Sequence, residues 1–536
     1  MAPRTHARAV ELGEHAGPLR LVAFSDWRVQ DISLLAEEIA KFPVKPDVVL
    51  YGGDDISRFR EQGKNLFEDL ARCSKYGICA VAGNDDSPGH QEHIAGHSVF
   101  DVHASPVILG DFAVLGVEGA PSAPGFLLHS EKAISSHLAR QKRASQRKNL
   151  ILVSHCPPAG CLDKSVRYSV DGNPRSIGSR AVRKFVRANK HVRLVVCGHS
   201  HRCGGRHQRL GQALVVNAAS HDRVGNVGRF AVITVGANGK VKVEWREIME
   251  VACIPGVKDR SAELLRAAGI RTAQDFADCE MSALAVALPH PSRPLEVLRA
   301  RARALVERRP VLIGPLRLPP NPEIFLDIET DSAGGYNYVW LIGICIGRKG
   351  PYQAFFAGTP ADEHKILTAF VEFAARQPTA NFLAFSSSKL EARVLRVRLL
   401  FHELNTSLCS RIVNVCQAFQ QSVALPIDSE SVKEVAKMLG FRYRHPRLDG
   451  LGVALLYEHN YARVKNAARQ KALKRKLLEY NEDDVRSLPF ILDAVAKLSP
   501  TVGVASQVPS GGQSDSLADG SAAPLWTDLL RQSRLF

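Results

Sequence analysis

The sequence predicts an α/β protein of more than one domain, and three observations carry this. A chain of 536 residues exceeds what one hydrophobic core supports, so two or three domains follow. Through both halves, apolar runs of strand length alternate with helix-period stretches, which is the rhythm of α/β folds. Between the halves, Pro310 to Pro322 holds five prolines and reads as an extended connector. The expected divisions are a polar leader over 1–18, an α/β domain over 19–250, a small helical domain with the connector over 251–320, a second α/β domain over 321–497 and a flexible tail over 498–536.

Composition narrows the function class. The chain is 45% hydrophobic and 23% charged, which is ordinary for globular proteins and excludes a disordered or fibrous one. Lys and Arg total 70 against 54 Asp and Glu, for a net charge of +16, which suits a polyanionic partner, nucleic acid first. The 11 cysteines are odd in number, scattered and without a Cys-x-x-Cys pair. That argues for a reducing compartment and against a disulfide frame. The start, Met-Ala-Pro-Arg-Thr-His, lacks the apolar stretch of a signal peptide, and Tyr338 to Ile346 is too short to span a bilayer. The expectation is a cytoplasmic protein with no membrane partner.

In the first α/β stretch, strands end in loops that carry metal-competent side chains. Leu19 to Phe24 runs into Ser25-Asp26, Val48 to Tyr51 into Gly52-Gly53-Asp54-Asp55, and Ile78 to Ala82 into Gly83-Asn84-Asp85-Asp86. Leu150 to Val153 leads to Ser154-His155, and Leu194 to Cys197 to Gly198-His199-Ser200-His201. Sites collect at the carboxyl ends of strands in such sheets. His199 and His201, spaced i, i+2, can reach one site with Ser200 turned away.

This order resembles the calcineurin-like metallophosphoesterases over residues 19–246. The resemblance implies a two-sheet α/β sandwich with a dinuclear metal centre. By it, Asp54 bridges both ions, Asp26 and His201 hold one, and Asn84, His155 and His199 hold the other. Mixed N/O ligands suit Mn, Fe or Zn. Two positions depart from the family pattern. Arg28 stands where the Asp-x-His motif has its histidine, and arginine, always protonated, cannot ligate a metal. It can hold a phosphate directly. Asp85 stands where the family has a histidine that protonates the leaving group.

Ile254-Pro255-Gly256-Val257 and Ala268-Gly269-Ile270-Arg271-Thr272 have the rhythm of helices around Gly turns, whose free N–H groups can hold phosphate. They resemble a helix-hairpin-helix, and a plain helical linker fits the same residues. Leu295 to Arg308 reads as a basic helix.

In the second α/β stretch, Ile324 to Leu326 leads into Asp327-Ile328-Glu329-Thr330. On a strand, i, i+2 spacing puts Asp327 and Glu329 on one face, where two carboxylates repel unless a cation lies between them. Hard divalent ions take such oxygen ligands. Strands are expected at Tyr338 to Ile346, Pro351 to Phe356 and Asn381 to Phe385, and helices over 362–376 and from Lys389. Glu391 falls in the first turn of the latter. In Tyr480-Asn481-Glu482-Asp483-Asp484, Tyr480 and Asp484 share a helix face. The basic stretch Lys465 to Lys476, just before, suits a phosphate backbone or a solvated face equally.

Together these residues resemble the tyrosine subclass of DEDD 3′–5′ exonucleases on the ribonuclease H fold. The nearest architecture is the ribonuclease-H-like domain following a helix-hairpin-helix in RecB-family nucleases, over roughly 252–495. Further matches are Ser431-Val432-Lys433-Glu434-Val435 and Leu448-Asp449-Gly450. The resemblance implies that Asp327, Glu329, Glu391 and Asp484 hold two Mg²⁺ or Mn²⁺ ions while Tyr480 orients water. Glu391 departs from the usual Asp.

At the end of the chain, Gln532, Leu535 and Phe536 resemble the bacterial sliding-clamp-binding peptide, Gln-x-x-Leu-Phe. The whole reads as a metal-dependent nuclease of DNA or RNA processing and repair, DNA before RNA. Two alternatives stand beside it. One is a phosphodiesterase acting on a nucleotide or other small phosphodiester through the N-terminal domain alone. The other is a DNA-binding scaffold whose sites have decayed.

Overall fold

The computed structural model describes residues 9–27, 29, 31, 33–60, 65–121, 124–145, 149–165, 175–220, 227–318, 323–332, 335–386, 389–427, 430–446 and 448–498, without the side chains of His90 and Gln91. Arg28 and the tail residues Gln532, Leu535 and Phe536 lie outside them. Two compact units meet between Glu307 and Arg308.

Among the described residues, the first unit is built on a six-stranded and a seven-stranded sheet. In the six-stranded sheet, Leu19–Phe24 pairs parallel with Val48–Tyr51, which pairs parallel with Ile78–Ala80. In the seven-stranded sheet, Phe112–Val117, Asn149–Ser154 and Val192–Cys197 are parallel neighbours. These strands are apolar almost throughout because both faces are covered. One core joins residues of both sheets, among them Leu21, Leu50, Val114, Val153 and Val196. The parallel strands of each sheet point their carboxyl ends the same way, so the ligand-bearing loops collect at one rim.

The helical segment belongs to the same unit. Helices Asp259–Ala267, Ala273–Asp278, Met281–Ala287 and Leu295–Glu307 enclose a core of Ile254, Leu265, Phe276, Leu284 and Leu298. Thr272 and Asp275 form a capping box that fixes the second helix's start. The basic reading of the last helix holds only in part. Arg301 is buried, and its Nη1 donates to the carbonyl of Pro255 at 2.6 Å. Arg271 is engaged as well: Nε donates to Asp31 at 2.7 Å and Nη1 to Glu37 at 2.8 Å, both outside the helical segment. Glu250, fully buried, accepts from Arg266 at 2.7 Å.

The second unit has a five-stranded mixed sheet. Glu323–Thr330 pairs antiparallel with Val339–Ile346 and parallel with Asn381–Ala384. Tyr352–Phe356 and Ile412–Asn414 form the edges. Helices Glu363–Ala375 and Leu390–Phe401 follow the expected segments closely. Buried Glu363 ties them together, accepting from Arg398 at 2.6 and 2.9 Å, from the Val339 N–H at 2.7 Å and lying 2.8 Å from His402 Nε2. The long helix Ala467–Leu498 packs against Glu323–Thr330 and carries the Tyr480 region. Most of the basic stretch Lys465 to Lys476 is this helix's own beginning, not a separate element before it. The proline-rich connector is also less free than its composition predicts. Val311–Leu312 pairs with Val423–Ala424, and Leu316 and Leu318 pack on the second unit's core. Among the described residues, no helix is long and apolar enough to cross a membrane.

Candidate metal centres

The first unit brings Asp26, Asp54 and His155 together, one ligand atom from each within 4.8 Å of the others. Three expected ligands sit in left-handed backbone conformations: Asp26 at φ 48°, Asp54 at 68° and His199 at 62°. Side-chain-bearing residues rarely adopt these, and such strain gathers at functional sites. Asp26 accepts from Ser25 Oγ at 2.6 Å and the His199 N–H at 3.1 Å, and its other oxygen lies 2.8 Å from His201 Nε2. Burial would raise its pKa, but His201, His155 and Ser25 outweigh burial and hold the carboxyl well below the usual range. Asp54 goes the other way. Burial, with Asp26, Asp86 and Asp85 nearby, raises it to about 8 despite His155.

His155 Nδ1 lies 2.8 Å from the Gly52 carbonyl, while Nε2 faces Asn84 Oδ1 at 2.9 Å and Asp54 Oδ2 at 3.6 Å. A ring that donates through one nitrogen and turns the other toward oxygen acceptors is oriented as metal-bound histidines are. Asn84 is itself oriented, because its Nδ2 donates to Asp85 Oδ1 at 2.6 Å and Pro124 O at 2.8 Å, leaving Oδ1 to the centre. Among the described residues, His199 Nε2 is buried without a hydrogen-bond partner, and burial with His155 and His201 lowers its pKa to about 3, so the ring is neutral and its lone pair is available. This donor set fits a divalent transition metal.

Sequence reasoning missed Asp86. It is buried and accepts from the N–H groups of Gly83, Asp54 and Ile56 at 2.8, 3.0 and 2.9 Å, locking two ligand loops together. The run Gly83-Asn84-Asp85-Asp86 was its only signal. Asp85 lies half at work already: its N–H donates to Asp54 Oδ1 at 3.0 Å, and its carboxylate holds the Asn84 amide.

In the second unit, Asp327, Glu329 and Asp484 converge, again one ligand atom each within 4.8 Å. Burial raises all three: Asp327 strongly, with Glu329 and Asp484 adding to it, Glu329 to about 8, with Asp484 adding to it, and Asp484 to about 6, despite Lys433 and the Tyr480 hydrogen bond. Among the described residues, Asp484 Oδ1 is buried and without a hydrogen-bond partner. Crowded carboxyls whose charged forms are disfavoured by burial fit a hard divalent cation. Tyr480 is buried, hydrogen-bonds Asp484, and has its own pKa driven up by burial and by Asp484, Glu329 and Asp327, so its hydroxyl keeps its proton. Glu391 stands outside the converged trio. It accepts from Ser386 Oγ at 2.6 Å and lines a cavity of about 280 Å³ with Lys389, Asn414 and Gln417, near enough to contribute to the raised pKa of Asp327.

Two residues were not singled out for this site from sequence. Asn481 Nδ2 donates to Asp327 Oδ2 at 2.7 Å and Glu329 Oε1 at 3.3 Å, while its oxygen accepts from Tyr352 at 2.8 Å. Asn481 fits only because Gly343, opposite Asp327 in the sheet, has no side chain, since a Cβ there would collide with the amide. Lys433 holds its ammonium 3.8 Å from the Tyr480 ring centre and donates to Leu448 O at 2.7 Å. Burial lowers its pKa although Asp484 and Glu329 lie nearby.

A family model for calcineurin-like phosphoesterases matches residues 19–203, and one for the RNase H superfamily matches residues 324–496. The chain joins a calcineurin-like phosphoesterase domain to an RNase H superfamily domain. Between them, residues 226–304 match a domain of unknown function, DUF4332. The phosphoesterase match encloses all six expected N-terminal ligands, and the RNase H match encloses the four acids and Tyr480. No curated protein matches the chain. One solved structure is 17% identical, with a TM-score of 0.31 over 42% of this chain and 98% of that one. Another, titled "Termus thermophilus Sulfate thiohydrolase SoxB in complex with glycerol", is 15% identical, with a TM-score of 0.22 over 37% of this chain and 38% of that one. At these scores neither likeness bears on the fold or the sites.

Proposed function

We propose that the protein is a nuclease with two hydrolytic centres: a 3′–5′ exonuclease in the RNase H domain and a phosphodiesterase in the phosphoesterase domain, both acting on DNA. The observation that carries this is the meeting of Asp327, Glu329, Asp484 and the protonated Tyr480 hydroxyl at one site.

In this reading the three carboxylates, with Glu391, would hold divalent ions that, when bound, polarise the phosphodiester and the attacking water. Asn481 sets the orientation of Asp327 and Glu329. Tyr480, whose O–H donates to Asp484, positions the water by accepting a hydrogen bond from it at the phenol oxygen. In the phosphoesterase domain, Asp26, Asp54, Asn84, His155, His199 and His201 would hold the second metal centre, with Gly52 and Asp86 fixing the ligand loops. Net charge +16 supports a polyanionic substrate.

Purified protein with Mn²⁺ on 3′- and 5′-labelled single- and double-stranded DNA tests it, alongside Asp327→Ala and His199→Ala. Asp327→Ala should abolish stepwise shortening from the 3′ end, and laddering that survives it overturns the exonuclease assignment. A residual phosphodiesterase activity should disappear in His199→Ala. The tail reading is tested separately: deletion of Gln532 to Phe536 should abolish binding to a bacterial sliding clamp, and unchanged binding would refute it.

A further inference from the structure

We propose that His103, Glu118 and His129 form a third metal site, in the first unit, that takes Zn²⁺. Neither hydrolytic centre uses these residues.

The three come from separate places in the chain. His103 lies two residues after Val99–Asp101, Glu118 directly follows Phe112–Val117, and His129 lies two residues before the helix Glu131–Ser145. One ligand atom from each lies within 4.8 Å of the others. Both imidazoles address a single oxygen: Glu118 Oε1 is 3.3 Å from His103 Nε2 and 3.2 Å from His129 Nε2. A charged N–H···O pair closes to about 2.7–2.9 Å, so these separations are long for an imidazolium on a carboxylate. Tetrahedral zinc with bonds of about 2.0–2.1 Å sets its ligand atoms about 3.3 Å apart, which is the spacing these pairs show. Glu118 is buried, and a buried carboxylate is costly unless a cation offsets its charge. Zinc offsets it without asking either ring to take up a proton. Two imidazoles with one carboxylate suit Zn²⁺, whereas Mg²⁺ and Ca²⁺ take oxygen ligands.

The surroundings hold the ligands in place. The His137 ring stacks on that of His103, with centroids 4.1 Å and planes 14° apart, and its Nε2 lies 2.9 Å from Gly116 O. Gln141, one helical turn further on, donates to the carbonyls of Val102 and His103 at 2.7 and 2.8 Å and accepts from the Gly116 N–H at 2.8 Å. Both side chains are buried, and together they fix His103 against the strand that leads to Glu118. Partners of this kind orient the ligands of metal sites. Without metal, the Glu118 N–H approaches His103 Nδ1 at 3.3 Å, which leaves the ring's proton on Nε2, toward the carboxylate. Zinc would take Nε2, shift that proton to Nδ1 and release this long contact. The His129 side chain is 30% exposed against 7% for Glu118, so the ion has its entry past His129.

The test is the zinc content of the full chain, measured by elemental analysis after loading with Zn²⁺ and dialysis into metal-free buffer. Wild type is compared with His129→Ala and Glu118→Gln, and circular dichroism follows the fold of each. Wild type should hold one zinc more per chain than either variant. With Co²⁺ in place of Zn²⁺, the difference spectrum between wild type and His129→Ala should carry the intense visible bands of a tetrahedral site. Should Glu118→Gln fail to fold, the half-exposed position of His129 leaves its variant to decide. Equal zinc in wild type and His129→Ala overturns the site. So does a loss of more than one zinc, or a difference spectrum without tetrahedral bands, since the cluster would then be a hydrogen-bonded support for the neighbouring loops.

Discussion

At the scale of single residues, the charge at each centre is set by a few hydrogen bonds that a substitution can remove one at a time. Asn481 is the clearest case, because it neutralises the contact between Asp327 and Glu329 without adding charge. Asn481→Ala should lower Mn²⁺ affinity of the RNase H centre by about 10–100-fold while the fold persists, as isothermal titration calorimetry and circular dichroism would show. Asp327 and Glu329 were legible in the sequence because period-two geometry is local. Asn481 was not, because its role depends on Gly343 in a neighbouring strand, and an approach across strands leaves no spacing signal. The same holds for Asp86, whose partners Asp54 and Ile56 lie on another loop.

At the scale of elements, tight backbone approach does the positioning. A Cβ on Gly83 would run into Asp54, both its carboxylate and its backbone nitrogen. Gly83→Ala should cost about 1–3 kcal/mol, measured by urea unfolding, and displace the ligand, weakening Mn²⁺ binding at the phosphoesterase centre but not at the RNase H centre. In the RNase H domain, Glu363 joins one helix to Arg398 and His402 of another. Burial would raise its pKa, but Arg398, His402 and the Val339 N–H outweigh burial and hold it below the usual carboxylate range. A depressed folded pKa means stability that is present above the ordinary carboxylate pKa and lost as pH falls through the folded value. Glu363→Ala should cost about 3–5 kcal/mol at neutral pH, because Arg398 would be left buried and unpaired, and should flatten the acid limb of the stability curve. Strand and helix order was readable because apolar runs and turn residues alternate clearly. The fate of the connector was not, since its pairing partner Val423–Ala424 lies over a hundred residues away.

At the scale of the whole molecule, each centre holds carboxyls whose pKa is raised. Glu329 is raised to about 8 and Asp484 to about 6 in one unit, and Asp54 to about 8 in the other. A raised carboxyl pKa means that the folded form, without metal, holds protons that the unfolded chain releases. Stability is then lost as pH rises from the ordinary carboxylate range towards 8. A divalent ion removes that penalty and must displace those protons to bind. Mn²⁺ should therefore raise the melting temperature more at pH 8 than at pH 6. Differential scanning fluorimetry with and without chelator checks this, and a larger shift at pH 6 would contradict it.

The contacts of Arg271 and Glu250 decide where the chain can be cut. The segment 251–307 shares its ion pairs with residues on the phosphoesterase side, Arg271 with Asp31 and Glu37, and Arg266 with Glu250. A fragment ending at Glu250 would strand those three anions and lay bare Met249, which packs against the helical segment's core. A fragment ending at Glu307 keeps every one of these partners. Dissection for crystallisation, or for asking which centre does what, thus belongs at Glu307, and the helical segment travels with the phosphoesterase as its own wall.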